Sequence, residues 1–549
     1  MKKKFYLLIL ISLNFYGQNL LLKINGTSAT FNKKIDSIGY FSKHSTAKAM
    51  VGEVNSFSER VLKLGYLASK VTLNQHLNDS VFEYECDFGQ PTEFLHICIL
   101  KKNQYLLGLK EDTVFLKFNE SETFIKNVLN KLESKGFSMA KVKLTNLKSA
   151  KNFITTLLTI DLDKKRQLND IIVNGYDKFP RGHLKNLKRL YKKKVFNTQN
   201  LEQLQKKVSQ FRFVKQLKYP EILFTQDSTK IFVYVEKTNN NTFDGLLGFT
   251  NDDKKKLIFS GYVDLVLNNI LNSGEKLAIN WRSNGSEQTT FNTTVEIPYI
   301  FNSPIGTKGN LNIIKQDSTF QTTQTAIDLG YYFNYSTRLY VGYQSSESSN
   351  IKNLNTASIS DYTNEFVTSN FEFTNYQEGT FLFPEKTSAM LKIGIGKRSS
   401  KLQDNSQFYG NLNLKHDFYV NEKNCINIKS QNFYLQSGTY LINELHRFGG
   451  INSIRGFNEN SLQGSLFISL LTEYRYIATS NLYIHTIFDY GFYEDKTANK
   501  SDKLLGIGFG FGLLTKNGLF NLVYANGSTQ KQEFKLSNSI VQISLKAIF

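Results

Sequence analysis

From Phe243 to its C-terminus the chain consists largely of runs in which apolar and polar residues alternate, separated by polar segments. The last stretch is typical, with Val541, Ile543, Leu545, Ala547 and Phe549 alternating with Gln542, Ser544 and Lys546. Successive side chains of a strand point to opposite faces, so this period of two indicates strands with one apolar and one polar face. A chain that keeps this pattern over its whole second half must fold there as a large sheet.

The alternating runs have the length of membrane-crossing strands. Many have the roughly 9–11 residues that a tilted strand needs to cross a bilayer. About sixteen runs span residues 243–250, 257–268, 274–282, 289–299, 309–315, 324–334, 338–344, 365–375, 386–397, 407–418, 424–436, 464–476, 481–490, 503–514, 518–525 and 538–549. We therefore predict an all-β, 16-stranded transmembrane β-barrel over residues 239–549. A soluble β-sandwich is the rival fold, but it would not ordinarily end on an exposed alternating strand.

Residues 1–17 have the features of a signal peptide. Met1 to Lys4 is basic, Phe5 to Phe15 is apolar but too short to span a bilayer, and Gly17 offers a cleavage point before Gln18. The first cysteine is Cys86, so the cleavage site lacks the cysteine that lipoproteins need. The sequence predicts an exported chain without a lipid anchor.

Residues 18–238 read as three similar α+β modules, at 18–90, 91–166 and 167–238. In the first, a helix over 47–64 places Met50, Val51, Val54, Phe57, Val61 and Leu64 on one face. A glycine-aromatic pair ends a helix in each of the first two modules, at Gly65-Tyr66 and Gly136-Phe137. Two strands close each of these modules.

The third module opens with an I-x-V-x-G-x-x-x-F pattern, formed by Ile171, Val173, Gly175 and Phe179. This opening, the β-α-α-β-β order and the glycine-aromatic pairs resemble POTRA domains, although the third module lacks a clear glycine-aromatic pair after its second helix. The resemblance implies periplasmic modules that bind extended client segments at a sheet edge. The predicted fold class is an α+β POTRA array followed by the barrel.

Charge and chemistry narrow the function classes. The formal charge is +20, but the basic residues are spread along the chain, so we expect no nucleic-acid partner. The densest cluster, 185–194, is a solvated helix face or a surface for anionic headgroups. The seven histidines are dispersed and no Gly-x-Ser-x-Gly elbow occurs, so we expect no enzyme, no cofactor and no metal site. Cys86, Cys98 and Cys425 lack metal-ligand spacing; a Cys86–Cys98 bridge stays open, and unpaired thiols are favoured.

One long segment between the eleventh and twelfth runs, from His446 to Leu462, is neither strand-like nor of disordered composition. It contains Gly449, Gly450, Ile454, Arg455, Gly456 and Phe457. An [VI]-R-G-[FY] motif in a sixth outer loop, after three POTRA units, resembles the BamA/TamA superfamily of POTRA-barrel outer-membrane proteins. In that family the loop folds back into the lumen, and the terminal aromatic, here Phe549, resembles the signal for barrel insertion.

The strand phases supply partners for Arg455. An arginine inside a barrel needs fixed acceptors, because an unpaired buried charge is costly. Alternation turns Asp489 and Glu473 inward, so we predict that Arg455 bonds Asp489, with Glu473 as a further acceptor. In the fourteenth run, four glycines are predicted to line the inner wall and leave room for the loop: Gly506, Gly508, Gly510 and Gly512.

The resemblance implies a factor that assembles, inserts or translocates proteins at the outer membrane, with the POTRA modules in the periplasm. Client strands would pair at a lateral seam between the first run, which contains Gly245 and Gly248, and the last. The expected partners are unfolded outer-membrane or exported proteins, outer-membrane lipid, and periplasmic or inner-membrane accessory subunits. The alternative is a two-partner-secretion-type transporter that passes one exoprotein through the pore.

Overall fold

The computed structural model describes residues 20–78, 80–150, 153–238, 240–251, 257–284, 288–351, 358–377, 382–401 and 403–549. The predicted signal peptide, 1–17, lies outside these residues. The chain divides into two compact units. One comprises Met1–Arg166 with Val195–Thr198, and the other comprises Gln167–Lys194 with Gln199–Phe549.

The first module packs two helices on a four-stranded sheet. Its elements are β1 (Leu20–Gly26), α1 (Ala29–Ile38), β2 (Lys43–His44), α2 (Ala47–Lys63), β3 (Lys70–Asn78) and β4 (Val81–Asp87). The sheet order is β2-β1-β4-β3, with β1 parallel to β4. Helix α2 buries Met50, Val54, Phe57 and Val61. Val51 and Leu64 are exposed, so the predicted apolar face was too wide, because the sheet covers little more than one stripe of the helix.

The sequence pattern did not predict the first helix of this module, and it left the pairing of Cys86 undecided. Helix α1, which has Ser28 as its N-cap, was not predicted because its apolar stripe is short. All three cysteines are free thiols, so Cys86 and Cys98 are not bridged. Burial raises the pKa of the Cys86 thiol to about 11, which keeps this group protonated and unreactive.

The second module repeats the arrangement. Its elements are β5 (Phe94–Ile99), α3 (Lys101–Leu107), β6 (Thr113–Lys117), α4 (Ser121–Ser134), β7 (Lys141–Ser149) and β8 (Phe153–Asp161), in the sheet order β6-β5-β8-β7. Gly136, just after α4, has φ 96°, the left-handed conformation that a glycine adopts without strain. Its carbonyl accepts a bond from the Arg166 amide at 2.8 Å, so the turn closes this module at its C-terminal end.

The third module consists of β9 (Asp170–Asn174), α5 (Arg181–Tyr191), α6 (Thr198–Ser209), β10 (Val214–Gln216), β11 (Glu221–Phe224) and β12 (Thr229–Lys237). Strand β12 pairs with β10 and β11 and runs parallel to β9. The opening pattern is explained by packing, since Ile171 and Phe179 are buried and Gly175 has φ 89°. A Cβ at Gly175 would collide with the Val235 carbonyl.

The second half closes into a sixteen-stranded antiparallel barrel. Its first eleven strands are β13 (Thr242–Asn251), β14 (Leu257–Asn268), β15 (Lys276–Asn284), β16 (Gln288–Ile297), β17 (Ile305–Gln316), β18 (Phe320–Asn334), β19 (Thr337–Asn350), β20 (Tyr362–Tyr376), β21 (Glu385–Ser400), β22 (Asn405–Tyr419) and β23 (Asn424–Gln436). A short hairpin, β24 (His446–Phe448) and β25 (Leu462–Gly464), forms a two-stranded sheet of its own. The wall continues with β26 (Leu466–Thr479), β27 (Leu482–Asp495), β28 (Lys500–Thr515), β29 (Gly518–Thr529) and β30 (Ile540–Ile548). Each of the sixteen predicted runs coincides with one wall strand, and several strands extend beyond the run.

The barrel carries its apolar side chains outward. The exposed side chains include Val541, Ile543 and Leu545 of β30 and Ile507 and Phe509 of β28. An exterior of this kind is stable only in contact with lipid, and closure of the barrel leaves few unpaired backbone groups there. Among the described residues, no helix is both long and apolar enough to cross a membrane.

Candidate functional site: the internal loop and the strand seam

The segment between β23 and β26 folds into the barrel. Its base is the hairpin β24–β25, in which His446 pairs with Gly464 and Phe448 with Leu462. Phe448 stacks on the inward-facing Phe467 with ring centroids 3.9 Å apart. A buried apolar cluster joins loop and wall, formed by Phe448, Ile454, Phe467, Leu471, Tyr493 and Leu504. Burial of these side chains favours the inward position of the loop.

Arg455 is held by two carboxylates of the wall. Its Nε and Nη2 donate to Asp489 Oδ2 and Oδ1 at 2.8 and 2.6 Å, a bidentate pair, and its Nη1 donates to Glu473. The Arg455 backbone amide also donates to Asp489 Oδ2, at 3.0 Å. Arg455 is 6% exposed and Asp489 is fully buried. The structure therefore brings together the three residues that the strand phases selected.

The ion pairs continue along the wall beyond Glu473. Arg475 Nε donates to Glu473 Oε2 at 2.7 Å, and Arg475 Nη1 donates to Asp417 Oδ1 at 3.1 Å. Asn427 donates to the same Asp417 oxygen at 2.6 Å. His485 lies 3.9 Å from Glu473, at the margin of this chain of charges. Asp417 was missed from the sequence, since only the register of β22, β23 and β26 places it near Arg475.

The glycines of the loop permit close backbone approach. Gly456 has φ 86°, and a Cβ there would collide with the backbone of Asn526 and Gly527 on β29. Gly449 and Gly450 have φ of 104° and 102°, and the Gly450 amide donates to the Ile454 carbonyl at 3.2 Å. This positive-φ path turns the loop so that Arg455 points to the wall.

The four glycines of β28 that were predicted to make room for the loop do not all do so. Gly506 lies against the Arg455 carbonyl, so it does make room for the loop. The space beside Gly510 and Gly512 is filled by His485 and Tyr483 of β27, and Gly508 faces Ala525 of β29. The prediction assigned all four glycines to the loop because alternation shows which face a residue occupies, but not which neighbour covers it. Phe457 is partly buried against the apolar cluster.

A second anchor, which no sequence pattern predicted, holds the start of the loop. Arg398 of β21 donates to Glu444 Oε1 at 2.6 Å and to Thr439 Oγ1 at 2.7 Å, and both Arg398 and Glu444 are almost completely buried. Asn443 donates to Ser348 Oγ of β19 at 2.8 Å. No local motif marks these residues, because they meet only when the start of the loop folds back against β19 and β21.

The barrel closes through a short seam between its first and last strands. In the described part of the chain, β13 forms ten registered pairs with β14 but two with β30, Thr242–Ile548 and Phe243–Ala547. Asn241 and Phe549 add one reciprocal pair of backbone bonds, at 3.2 and 3.0 Å. All of this pairing lies at the end of β13 nearest the third module. Strand β30 forms eight pairs with β29 on its other side.

Most of the chain is similar to known structures, although no family model and no curated protein matches it. CdiB from Acinetobacter baumannii is 13% identical, over 91% of this chain and 98% of its own, with a TM-score of 0.51. CdiB from Escherichia coli is 13% identical, over 91% and 99%, with a TM-score of 0.50. BamA from Haemophilus ducreyi lacking POTRA domains 1–3 is 15% identical, over 82% and 99%, with a TM-score of 0.47.

The chain has the POTRA-barrel fold. The fold class expected from the sequence is thereby confirmed: POTRA-like α+β modules precede a sixteen-stranded barrel. A closed antiparallel barrel with a lipid-facing exterior is an outer-membrane barrel. The closed barrel with its apolar exterior fits the predicted location in the outer membrane.

Proposed function

We propose that this protein assembles, inserts or translocates other proteins at the outer membrane, and that client strands engage the seam between β13 and β30. The observation that carries the proposal is the small number of backbone pairs at this seam, two in register against ten on the other side of β13. A strand edge with unpaired N–H and C=O groups is a template for another strand. Opening this seam breaks fewer hydrogen bonds than opening any fully paired neighbour.

The internal loop has a supporting role in this proposal. Arg455 connects the loop to β26 through Glu473 and to β27 through Asp489, close to the Gly506 and Gly527 backbones of β28 and β29. The loop thus stiffens the wall a few strands before the seam. We infer that it acts as an internal latch that keeps this wall in place while the seam opens.

The POTRA modules would supply the clients. Each of the first two sheets ends on a nine-residue strand, β3 and β7, that pairs with one neighbour. An extended client segment could pair with either edge and be passed on towards the barrel. Outer-membrane lipid and periplasmic or inner-membrane accessory subunits belong to the same proposal.

A two-partner-secretion-type transporter is the second candidate, since the fold of the chain is also that of CdiB. In that case the exoprotein would pass through the lumen and the seam would stay closed. The latched loop, with its buried apolar cluster and its second anchor at Arg398, occupies the lumen and favours the lateral seam over this route.

Depletion of the protein tests the proposal. We expect several outer-membrane proteins to decrease in the outer-membrane proteome of depleted cells, and re-expression of the wild-type chain to restore them. Loss of a single secreted protein, with the outer-membrane proteome unchanged, would support the two-partner route instead. An unchanged proteome and secretome would contradict both.

A further inference from the structure

Helix α5 of the third module is fixed to the periplasmic end of the barrel. Asn186 Nδ2 donates to the Ser303 carbonyl at 3.0 Å, in the turn between β16 and β17. Arg189 Nη2 donates to the Tyr332 carbonyl at 3.1 Å, near the end of β18. His183 is buried between α5 and the barrel turns, with its ring 4.8 Å from that of Tyr299. These contacts set the height of α5 relative to the barrel.

The barrel surface next to α5 faces lipid. Tyr331 and Phe333, at the end of β18, are 42% and 48% exposed and point outward, with ring centroids 5.1 Å apart. Arg189 Nη1 reaches the Tyr331 hydroxyl at 3.5 Å, so α5 borders the exterior and not the lumen. Phe301, on the adjoining turn, is 94% exposed. Aromatic side chains at the end of a membrane strand mark the level of the lipid headgroups.

A basic stripe follows the same side of α5. Arg181, Lys185, Arg189 and Lys192 are exposed and spaced by four, four and three residues, which places them on one helix face. Arg189, which touches the lipid-facing Tyr331, belongs to this stripe. No acidic residue occurs between Lys178 and Lys194. Lys188 lies on a neighbouring part of the helix and pairs with Asp170 at 2.7 Å.

We propose that the stripe on α5 binds the phosphate-bearing headgroups of anionic phospholipids in the periplasmic leaflet. Its positive charge matches their negative charge, and it continues the lipid-facing surface of the barrel at headgroup level. Binding there orients the third module against the membrane beside the barrel. This interaction does not depend on what the barrel transports, so it stands apart from the proposed function.

The test uses the full-length protein in nanodiscs of phosphatidylcholine with a small fraction of phosphatidylglycerol that carries a photoactivatable headgroup. After illumination, the yield of lipid adducts on the peptide that contains residues 181–194 is measured by mass spectrometry. We expect the wild-type chain to give lipid adducts on this peptide. In the Lys185→Gln/Lys192→Gln variant we expect the adduct yield to fall by a factor of at least about five for each lysine removed. Arg189 is kept, because it also contacts the barrel.

The matched control is Lys101→Gln/Lys102→Gln, which removes the same charge from exposed positions of the second module. We expect this control to label like the wild-type chain. A photoactivatable phosphatidylcholine that labels 181–194 as strongly as phosphatidylglycerol would overturn the proposal. Equal labelling of the Lys185/Lys192 variant and the wild-type chain would overturn it as well.

Discussion

At the scale of single residues, the latch is defined by one guanidinium and the groups that satisfy it. Arg455 donates to both oxygens of Asp489 and to Glu473. Because these groups are buried, each charge is compensated by its partners and not by water. Removing one member of a buried ion pair leaves an uncompensated charge, which costs about 3–5 kcal/mol. The neighbouring Arg475 neutralises Glu473 in part, whereas Asp489 has its side-chain ion pair with Arg455.

We therefore predict that Arg455→Ala releases the loop and strongly impairs function, and that Arg455→Lys is intermediate because an ammonium cannot make the bidentate pair. Protease cleavage within residues 446–462 of the purified protein and complementation of depleted cells are the two measurements. Arg447→Ala is the control: Arg447 belongs to the same loop and packs over the Phe320 ring at 5.6 Å. Wild-type complementation by Arg455→Ala would contradict the latch.

At the scale of elements, β13 and β30 differ from the other barrel strands in how little they pair on the side where they meet. The two registered pairs at Thr242 and Phe243 hold the periplasmic end of the seam, next to the third module. The remaining length of β13 pairs with β14 in full. Since these pairs and the Asn241–Phe549 bonds are the backbone bonds that join β13 to β30 in the described part of the chain, breaking them frees the edge of β13 for a client strand.

We expect a disulfide across the seam to reduce function to the level of depleted cells. The variant is Thr242→Cys/Ile548→Cys in a Cys98→Ala background, since Cys86 and Cys425 are buried. Rescue of depleted cells is compared under oxidising and reducing conditions. The control crosslink, Asn521→Cys/Ser544→Cys, joins β29 to β30 and should leave function unchanged. Full rescue by the oxidised seam variant would exclude the lateral route.

A second element-scale prediction concerns His183, which lies among aromatic rings where α5 meets the barrel. Burial lowers the pKa of His183 to about 3 from the ordinary value of 6.5. The folded state therefore keeps this ring neutral, while the unfolded state takes up a proton below pH 6.5. Its contribution to stability is complete above pH 6.5, and it falls by about 1.4 kcal/mol for each pH unit from 6.5 down to 3.

We expect hydrogen exchange in residues 183–191, corrected for the intrinsic pH dependence, to show lower protection at pH 5 than at pH 7.5. The His183→Leu variant removes the titrating group and should flatten this difference. The peptide over Ser121–Ser134 of α4 serves as the internal reference in the same samples. A loss of protection that is equal in His183→Leu and the wild-type chain would show that another group is responsible.

At the scale of the whole molecule, the lumen of the barrel is partly filled by the loop between β23 and β26. A remaining cavity of about 540 Å³ is lined by polar and aromatic side chains and by the loop residues Glu444, His446 and Glu459. The apolar cluster around Phe448 and Ile454 closes another part of the lumen. We therefore expect the barrel not to behave as a wide, open pore.

Planar-bilayer recordings of the purified protein should accordingly show small and fluctuating conductance. Arg455→Ala should increase the mean conductance, because the loop then leaves the lumen more often. Arg447→Ala again provides the control in the same loop. A steady, wide conductance from the wild-type chain would favour a passive porin over the proposed function.

Much of this structure follows from the sequence alone, because its main signals are local. Alternation with a period of two locates the sixteen strands and shows that Asp489 and Glu473 face the lumen. The glycine-aromatic pairs mark the helix ends of the first two modules, since the left-handed turn after each helix needs a glycine. The motif around Arg455 identifies the loop that reaches these carboxylates.

Only the tertiary structure decided which inward-facing residues meet. Asp417 reaches Arg475 because the registers of β22, β23 and β26 align them, and Arg398 reaches Glu444 because the start of the loop folds back against β21. Likewise, two of the four wall glycines are covered by side chains of β27 and not by the loop. Side-chain direction is a property of one strand, whereas contact depends on the register of several strands and on the path of a loop, which no local pattern encodes.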